Sequence, residues 1–317
     1  MIQSVPRARA LALLAAGAAA LQPARARAQT TPKIRIGSVG AGDSYSLPFY
    51  AQEGGFFTRA GLNVEVQEVS NPGSIIAAVA GSSLDVGFAD PPLLANASNR
   101  GLPMAYFAAG GLYSADAPTT VLCVAPNSTI RTARDLYGNS IAIVVLASIG
   151  AAAIRAWIES SGADLTQIKL IELPFTTMVT AVIKGDVGAA FVGEPYLTQA
   201  KNDIRRWANA FDAIANRFLI NACFSTRPWL ARNPELAGRL AQALSETARW
   251  ANTHRDDSAP ILAKYSKVPL DVARTMTRVR FADFDVRLVQ PVLDTAFKFK
   301  LLERPVNAAD IAVKVTG

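Results

Sequence analysis

Short apolar segments alternate with segments of helical periodicity along most of the chain. Residues 34–39 and 62–69 have the length and β-branched content of strands, and residues 47–60 between them place apolar side chains at helical spacing. Strands that alternate with helices in this way are typical of a largely parallel sheet. The pattern therefore predicts an α/β fold.

The alternation continues to about residue 224 and then gives way to a segment that is predicted to be purely helical. Further strands are predicted at residues 86–89, 104–109, 120–125, 141–146, 168–173, 189–192 and 220–224. Further helices are predicted at residues 74–80, 91–99, 130–136, 150–160, 176–184 and 194–200, and in the tail at residues 234–252, 258–266, 270–278 and 286–301.

Two α/β blocks of similar length predict two lobes. Residues 29–118 together with residues 220–317 would form the first lobe, and residues 119–219 would form a second lobe inserted into it. Ligands of open parallel sheets bind at the carboxyl ends of the strands, beside helix N-termini. We therefore expect a ligand cleft between the two lobes, with the helical C-terminal tail belonging to the first.

The N-terminal segment has the organisation of a secretory signal peptide. Arg7 and Arg9 precede an uncharged Ala/Leu-rich stretch at residues 10–21, which is shorter than the roughly 20 residues that span a bilayer. Ala26 and Ala28 place small residues at the two positions that a signal peptidase reads. We expect residues 1–28 to be removed and the protein to be exported to the periplasm.

Composition and charge exclude several function classes. Without residues 1–28 the chain keeps 28 Lys and Arg against 25 Asp and Glu, and no basic stripe with interleaved aromatic residues remains, so no nucleic-acid binding is expected. The adjacent pair Arg205 and Arg206 is predicted to lie on a solvated helix face. A single His and two Cys exclude a multi-His zinc site and a disulfide framework, and His254 is expected to be solvated.

Five segments, in order along the chain, resemble a known family of periplasmic solute-binding proteins. These segments lie at residues 46–65, 84–92, 184–187, 194–196 and 299–306. The family binds aliphatic sulfonates, nitrate, taurine and thiamine precursors. The resemblance implies a two-lobed type II periplasmic-binding-protein fold, and a monomer without cofactor that captures a small-molecule solute and docks transiently to an ABC transporter permease.

Strand-to-helix loops are the candidate binding elements, because helix N-termini offer free amide donors and a partial positive charge. The resemblance implies the same loops. The predicted ligand-binding residues are Asp43, Tyr45, Ser46, Asn71, Ser74, Asp90, Ser148, Ile149, Phe175, Thr176, Thr177 and Glu194.

Several of these side chains have a structural alternative. Ser74, Ser148, Thr176 and Thr177 could contact a ligand or cap a helix, and Phe175 is expected to be half core and half pocket wall. Asp90 and Glu194 each precede a proline, where N-capping is favoured over ligand contact.

Tyr45 lies in a polar loop, where stacking on a ligand is favoured, and Asp43 could face an amine or a hydroxyl.

The candidate loops contain no Arg or Lys, so the sequence does not support a bidentate clamp on an anion. This weakens nitrate and sulfonate as ligands and leaves neutral, zwitterionic and aromatic solutes. The candidate solutes are a sulfonate, a thiamine-precursor pyrimidine or another aromatic compound.

Two other functions fit the same fold. One is an enzyme similar to the thiamine-pyrimidine synthase, which is disfavoured because the single His lies outside the loops and the two Cys are 100 positions apart. The other is a periplasmic sensor that delivers its ligand signal to a receptor.

Cys123 and Cys223 could form a disulfide, but two buried thiols are favoured.

Overall fold

A computed structural model describes residues 32–40 and 42–315, so the predicted signal peptide at residues 1–28 and its cleavage site lie outside the described residues. The strands are β1 Lys33–Ser38, β2 Asn63–Glu68, β3 Val86–Ala89, β4 Met104–Ala108, β5 Gly110–Ser114, β6 Thr120–Val124, β7 Ser140–Ile143, β8 Lys169–Glu172, β9 Ala189–Gly193, β10 Arg205–Ala208, β11 Arg217–Leu219, β12 Ala222–Thr226 and β13 Arg280–Ala282.

The helices cover both faces of the two larger sheets. They are α1 Leu47–Glu53, α2 Phe56–Arg59, α3 Pro72–Ala80, α4 Pro91–Asn99, α5 Ile149–Ser160, α6 Phe175–Lys184, α7 Tyr196–Gln199, α8 Arg227–Arg232, α9 Pro234–Thr253, α10 Arg255–Ser266, α11 Leu270–Thr275 and α12 Val286–Lys298. Within the described ranges, none of these helices is long and apolar enough to cross a membrane.

The first large sheet has the strand order β2-β1-β3-β12-β4. β1 runs parallel to β2 and β3, as the alternation of strands and helices predicts. β12 runs antiparallel to both β3 and β4, so the sheet is mixed, but β1, β2, β3 and β4 share one direction and the prediction of a largely parallel sheet is confirmed. The chain enters β12 directly from β11 of the small sheet and not from a helix packed on this sheet, so no βαβ crossover makes β12 parallel to its neighbours.

The second large sheet has the order β10-β6-β9-β7-β8 and is also mixed. β7 is parallel to β8 and β9, whereas β6 is antiparallel to β9 and β10. Arg205 and Arg206 lie in β10 and pair with Val124 and Cys123, so the prediction of a helix face is wrong. Their side chains point to opposite faces of the strand, which the period of two in an extended chain requires.

A small sheet of order β11-β5-β13 joins the two large ones. β5 directly precedes β6, and β11 directly precedes β12, so the chain passes between the large sheets along these two strands. A Cβ at Gly110 would lie 2.0 Å from the backbone oxygen of Asn221, which explains why this crossing takes a glycine. The boundaries at 118/119 and 219/220 remain predictions.

Two further differences from the predicted elements have local causes. The helix predicted at residues 47–60 is divided into α1 and α2, because Gly55 adopts a φ of 72° in the left-handed region. The tail is not purely helical, because β13 interrupts it after α11 and adds to the small sheet.

Apolar cores lie on both faces of each large sheet. In the first sheet, α1, α9 and α10 bury one face, and α3, α4 and α12 bury the other. In the second sheet, α5 lies on one face and α6 and α7 on the other. Cys123 in β6 and Cys223 in β12 are both buried and free, and they belong to different sheets.

Candidate functional site

A cavity of about 200 Å³ lies where the strand ends of the two large sheets face each other. From the first sheet it is lined by the loops that follow β1, β2 and β3, and from the second sheet by the loops that follow β7, β8 and β9. This is the edge at which open α/β sheets bind ligands.

Seven of the predicted ligand-binding residues line this cavity. They are Tyr45, Asp90, Ser148, Ile149, Phe175, Thr176 and Glu194. The other five predicted residues do not line it, and each has a structural partner instead or lies at the surface. They are Asp43, Ser46, Asn71, Ser74 and Thr177.

Asp43 forms a buried ion pair rather than facing an open site. Arg278 donates from Nε to Asp43 Oδ2 over 3.0 Å, and the side chains of the two residues are 5% exposed or less. The Tyr50 hydroxyl donates to Oδ1 and the Val279 N–H to Oδ2, both over 2.7 Å. Burial alone would lower the pKa of Arg278, but the charges and hydrogen bonds of Asp43 and Tyr50 together outweigh it and raise that pKa. The expectation that Asp43 faces a ligand amine is therefore not met.

The remaining polar residues outside the cavity organise the loops. The Ser46 hydroxyl donates to the Gly42 carbonyl over 3.2 Å, and the Thr177 hydroxyl donates to the Pro174 carbonyl over 3.1 Å. Asn71 caps α3, because its Oδ1 accepts the Ser74 N–H over 2.9 Å. The prediction that Ser74 begins this helix as its cap is wrong, since Pro72 already lies in the first turn.

Asp90 is buried at the cavity wall and is only 3% exposed. It is the N-cap of α4, as predicted, because Oδ1 accepts the Leu93 N–H over 3.2 Å. Burial raises its pKa to about 7, while hydrogen bonds from the backbone N–H groups of Leu93 and Ile149 oppose the rise. Ile149 begins α5, so the Asp90 carboxylate that caps α4 also lies near the N-terminus of a helix that packs on the other sheet.

Ser148 precedes α5 and lines the cavity, but its side chain does not cap the helix. Its hydroxyl donates to the Val145 carbonyl over 2.6 Å. With its proton directed to Val145, the Ser148 oxygen offers its lone pairs to a hydrogen-bond donor of a solute.

Glu194 is the second carboxylate of the cavity wall, and it is paired. Arg206 donates to Oε1 over 3.1 Å, and Thr198 donates from its N–H to Oε2 and from its hydroxyl to Oε1, each over 3.0 Å. Burial raises the pKa of Glu194, and these three hydrogen bonds oppose the rise. The Arg206 charge therefore compensates Glu194 within the protein.

Aromatic rings form much of the remaining wall. Phe175 is half-buried and stacks with Tyr196 at a centroid distance of 6.0 Å, while Phe191 meets Phe211 edge-on at 4.9 Å. Tyr45 is partly buried, and both burial and the nearby Asp90 raise the pKa of its phenol well above the usual range. The sequence analysis identified Tyr45 and Phe175 but missed Phe191 and Phe211.

The described residues that line the cavity include no Arg and no Lys. In residues 32–40 and 42–315, no group of three or more His, Cys, Asp or Glu side chains is placed to hold a metal ion. The cavity wall is therefore apolar and aromatic, with hydrogen-bonding groups at a few positions.

The chain is similar in sequence to a known protein family and to binding proteins from bacteria. The chain matches the NMT1/THI5 like family over residues 44–258. A protein of Brucella abortus (strain 2308), provisionally named as a binding protein, is 23% identical over 250 residues, which cover 78% of this chain and 75% of that protein.

Solved structures of binding proteins superpose over most of the chain. The periplasmic aliphatic sulphonate binding protein SsuA from Escherichia coli matches with a TM-score of 0.75 at 19% identity and covers 90% of this chain and 94% of its own. The periplasmic nitrate-binding protein NrtA from Synechocystis PCC 6803 matches with a TM-score of 0.69 at 16% identity, over 88% and 84% of the two chains.

The same fold also carries an enzyme. The desulfurization enzyme DSZB matches with a TM-score of 0.62 at 16% identity, over 89% of this chain and 96% of its own. The fold alone therefore does not decide between binding and catalysis.

The family match covers more than half of the chain and the architecture is that of SsuA and NrtA, so the protein belongs to the NMT1/THI5-like family and has the type II periplasmic-binding-protein fold.

Proposed function

We propose that the protein is the solute-binding component of an ABC import system and captures a small organic solute in the cavity between its two large sheets. The observation that carries this proposal is the cavity itself, which takes wall residues from the strand ends of both sheets. A solute held there contacts both halves of the molecule at once. Binding therefore favours the arrangement in which the two halves lie together.

The proposal includes a cellular location and a partner. Residues 1–28 direct export to the periplasm, where the protein works as a monomer and docks transiently to an ABC transporter permease. Support comes from the NMT1/THI5-like family match and from the shared architecture with SsuA and NrtA, which are named as periplasmic binding proteins.

The proposal is also that the solute leaves the cavity chemically unchanged. Cys123 and Cys223 lie in strands and do not line the cavity, and burial raises the pKa of both thiols, to about 12 for Cys123. His254 follows α9 at the protein surface. Among the described residues, the nucleophile and base of a Cys–His or Ser–His pair are therefore not brought together in the cavity.

The test is a search for a retained solute and for its fate. The purified protein is incubated with a pool of small metabolites, separated by gel filtration and denatured, and the released compounds are identified by mass spectrometry. We expect one compound at near-stoichiometric amount, which is recovered unchanged after prolonged incubation. A retained compound that is steadily converted to a product would favour an enzyme, and retention of no compound would contradict the binding function.

A further inference from the structure

We propose that the solute is a single-ring molecule that carries a protonated amine, and that this ammonium group pairs with Asp90. The proposal rests on the solute-binding function proposed above and names the chemical class of the solute. It depends on three independent features of the cavity, namely its size, its uncompensated carboxylate and the state of the α5 N-terminus.

The size of the cavity selects for small molecules. An apolar cavity of about 150 Å³ lined by Leu, Ile and Phe side chains binds benzene. The cavity of about 200 Å³ in this protein therefore accommodates one six-membered ring with a short substituent. The rings of Tyr45, Phe175, Phe191 and Phe211 at the wall offer faces and edges against which such a ring packs.

The charge of the cavity selects for a cation. Of the two carboxylates at the wall, Glu194 is compensated by Arg206. Asp90 accepts a hydrogen bond from the Leu93 N–H, and within the described part of the chain no Arg, Lys or His pairs with it. A buried carboxylate without a cationic partner gains most from a ligand that supplies the missing charge.

The α5 N-terminus is the position at which an anionic solute would be held, because it offers free N–H groups. Here the Asp90 carboxylate lies near the Ile149 N–H, which is the first of these groups and favours the ionised form of Asp90. An anionic solute would have to displace Asp90 and lie beside its charge. The Ser148 oxygen, whose proton is directed to Val145, adds a second acceptor for an N–H donor of the solute.

Three probes that share one ring and differ in charge test the proposal. Binding of benzylamine, benzyl alcohol and benzenesulfonate to the purified protein is measured by calorimetry at pH 8, where benzylamine is protonated and Asp90 is mostly ionised. We expect benzylamine to bind most tightly. In Asp90→Asn its affinity should fall about ten- to a hundredfold, the range for a charge-assisted hydrogen bond, while the affinity for benzyl alcohol should stay unchanged.

The matched control is Asp285→Asn. Asp285 is also an N-cap, of α12, and accepts the Arg287 N–H over 2.9 Å, but it does not line the cavity. This variant should bind all three probes as the wild type does. Because Asn is as good an N-cap as Asp, neither substitution should unfold its helix, and circular dichroism confirms that both variants fold.

Each other result overturns the assignment. Tighter binding of benzenesulfonate or benzyl alcohol than of benzylamine, or an unchanged benzylamine affinity in Asp90→Asn, would show that Asp90 does not recognise a cation. Failure of all three probes would exclude a single-ring amine. In both cases the metabolite-pool experiment decides separately whether the protein binds solutes, because a retained anion or neutral compound would keep that function.

Discussion

Arg278 donates from Nε to Asp43 Oδ2 over 3.0 Å and so joins two residues that are 235 positions apart. Asp43 directly precedes Ser44 and Tyr45, and Arg278 directly precedes Val279, and these three neighbours line the cavity. The Val279 N–H also donates to Asp43. The ion pair therefore fixes the backbone behind one wall of the cavity without contacting a solute itself.

Loss of this pair should destabilise the whole protein rather than weaken solute binding selectively. In Arg278→Ala the Asp43 charge stays buried without its partner, so we expect a loss of about 3 to 5 kcal/mol in the free energy of unfolding. Urea denaturation at neutral pH measures it. The control is Arg287→Ala, whose ion pair with Asp285 lies at the surface, and this variant should unfold at nearly the wild-type midpoint. Equal midpoints for the two variants would contradict a structural role for Asp43.

The stability of the empty protein should fall as the pH rises towards 7. Burial raises the pKa of Asp90 to about 7, above its ordinary value of 3.8, so the contribution of Asp90 to stability is fully present below about pH 4 and is lost as the pH rises through about 7. Burial and the Asp90 charge raise the pKa values of the Tyr45 and Tyr106 phenols well above the usual range, so both phenols stay neutral throughout.

The variant Asp90→Asn isolates this effect, because it keeps the N-cap and removes the charge. Relative to the variant, the wild type should lose about 1 to 3 kcal/mol of unfolding free energy between pH 5 and pH 8. Thermal or urea denaturation at both pH values measures the difference. A difference between wild type and variant that does not change with pH would show that Asp90 is already ionised at pH 5.

The Tyr45 ring should contribute more to binding than its hydroxyl. We expect Tyr45→Ala to weaken benzylamine binding at least about tenfold, since the ring face next to Asp90 is lost, and Tyr45→Phe to retain most of the affinity. Calorimetry with the three proteins measures it. If Tyr45→Phe lost as much affinity as Tyr45→Ala, the hydroxyl rather than the ring would be the recognition element.

The glycine at the crossing between the sheets should not tolerate a side chain. In Gly110→Ala the new Cβ would lie 2.0 Å from the Asn221 oxygen and 2.6 Å from Ala222 Cα, both backbone atoms, so we expect a loss of at least about 2 kcal/mol. Gly150→Ala in α5 is the control, because its Cβ would meet Phe191 and Ser148 at 3.4 Å, an ordinary contact. That variant should be as stable as the wild type or more stable. Urea denaturation of both variants and the wild type tests this, and a Gly110→Ala midpoint equal to that of the wild type would contradict the close backbone approach.

The order of the helices and strands could be predicted from the sequence wherever apolar residues recurred at a regular spacing and clear turn or capping residues bounded the segment. The strand at residues 189–192 and the helix at residues 91–99 agree with β9 and α4 in this way. β10 was missed because Arg205 and Arg206 are charged neighbours, and charge without a period does not separate an exposed strand edge from a helix face.

The roles of the carboxylates could not be predicted for a different reason. Asp43 in a polar loop gave no sign of a partner, because Arg278 lies in the distant tail and one sequence does not reveal long-range pairs. Asp90 was correctly assigned as an N-cap from its position before Pro91, but its place beside the N-terminus of α5 arises only when the strand ends of both sheets meet.

The two buried thiols have a consequence for how the chain folds under oxidising conditions. Cys123 and Cys223 are buried in different sheets and are both free in the folded protein. A disulfide between them has no place in this fold, so in an oxidising compartment such a bond forms only before the sheets assemble. Rapid folding thus protects the two thiols from cross-linking, and the amount of cross-linked protein formed during refolding under oxidising conditions measures how often oxidation precedes folding.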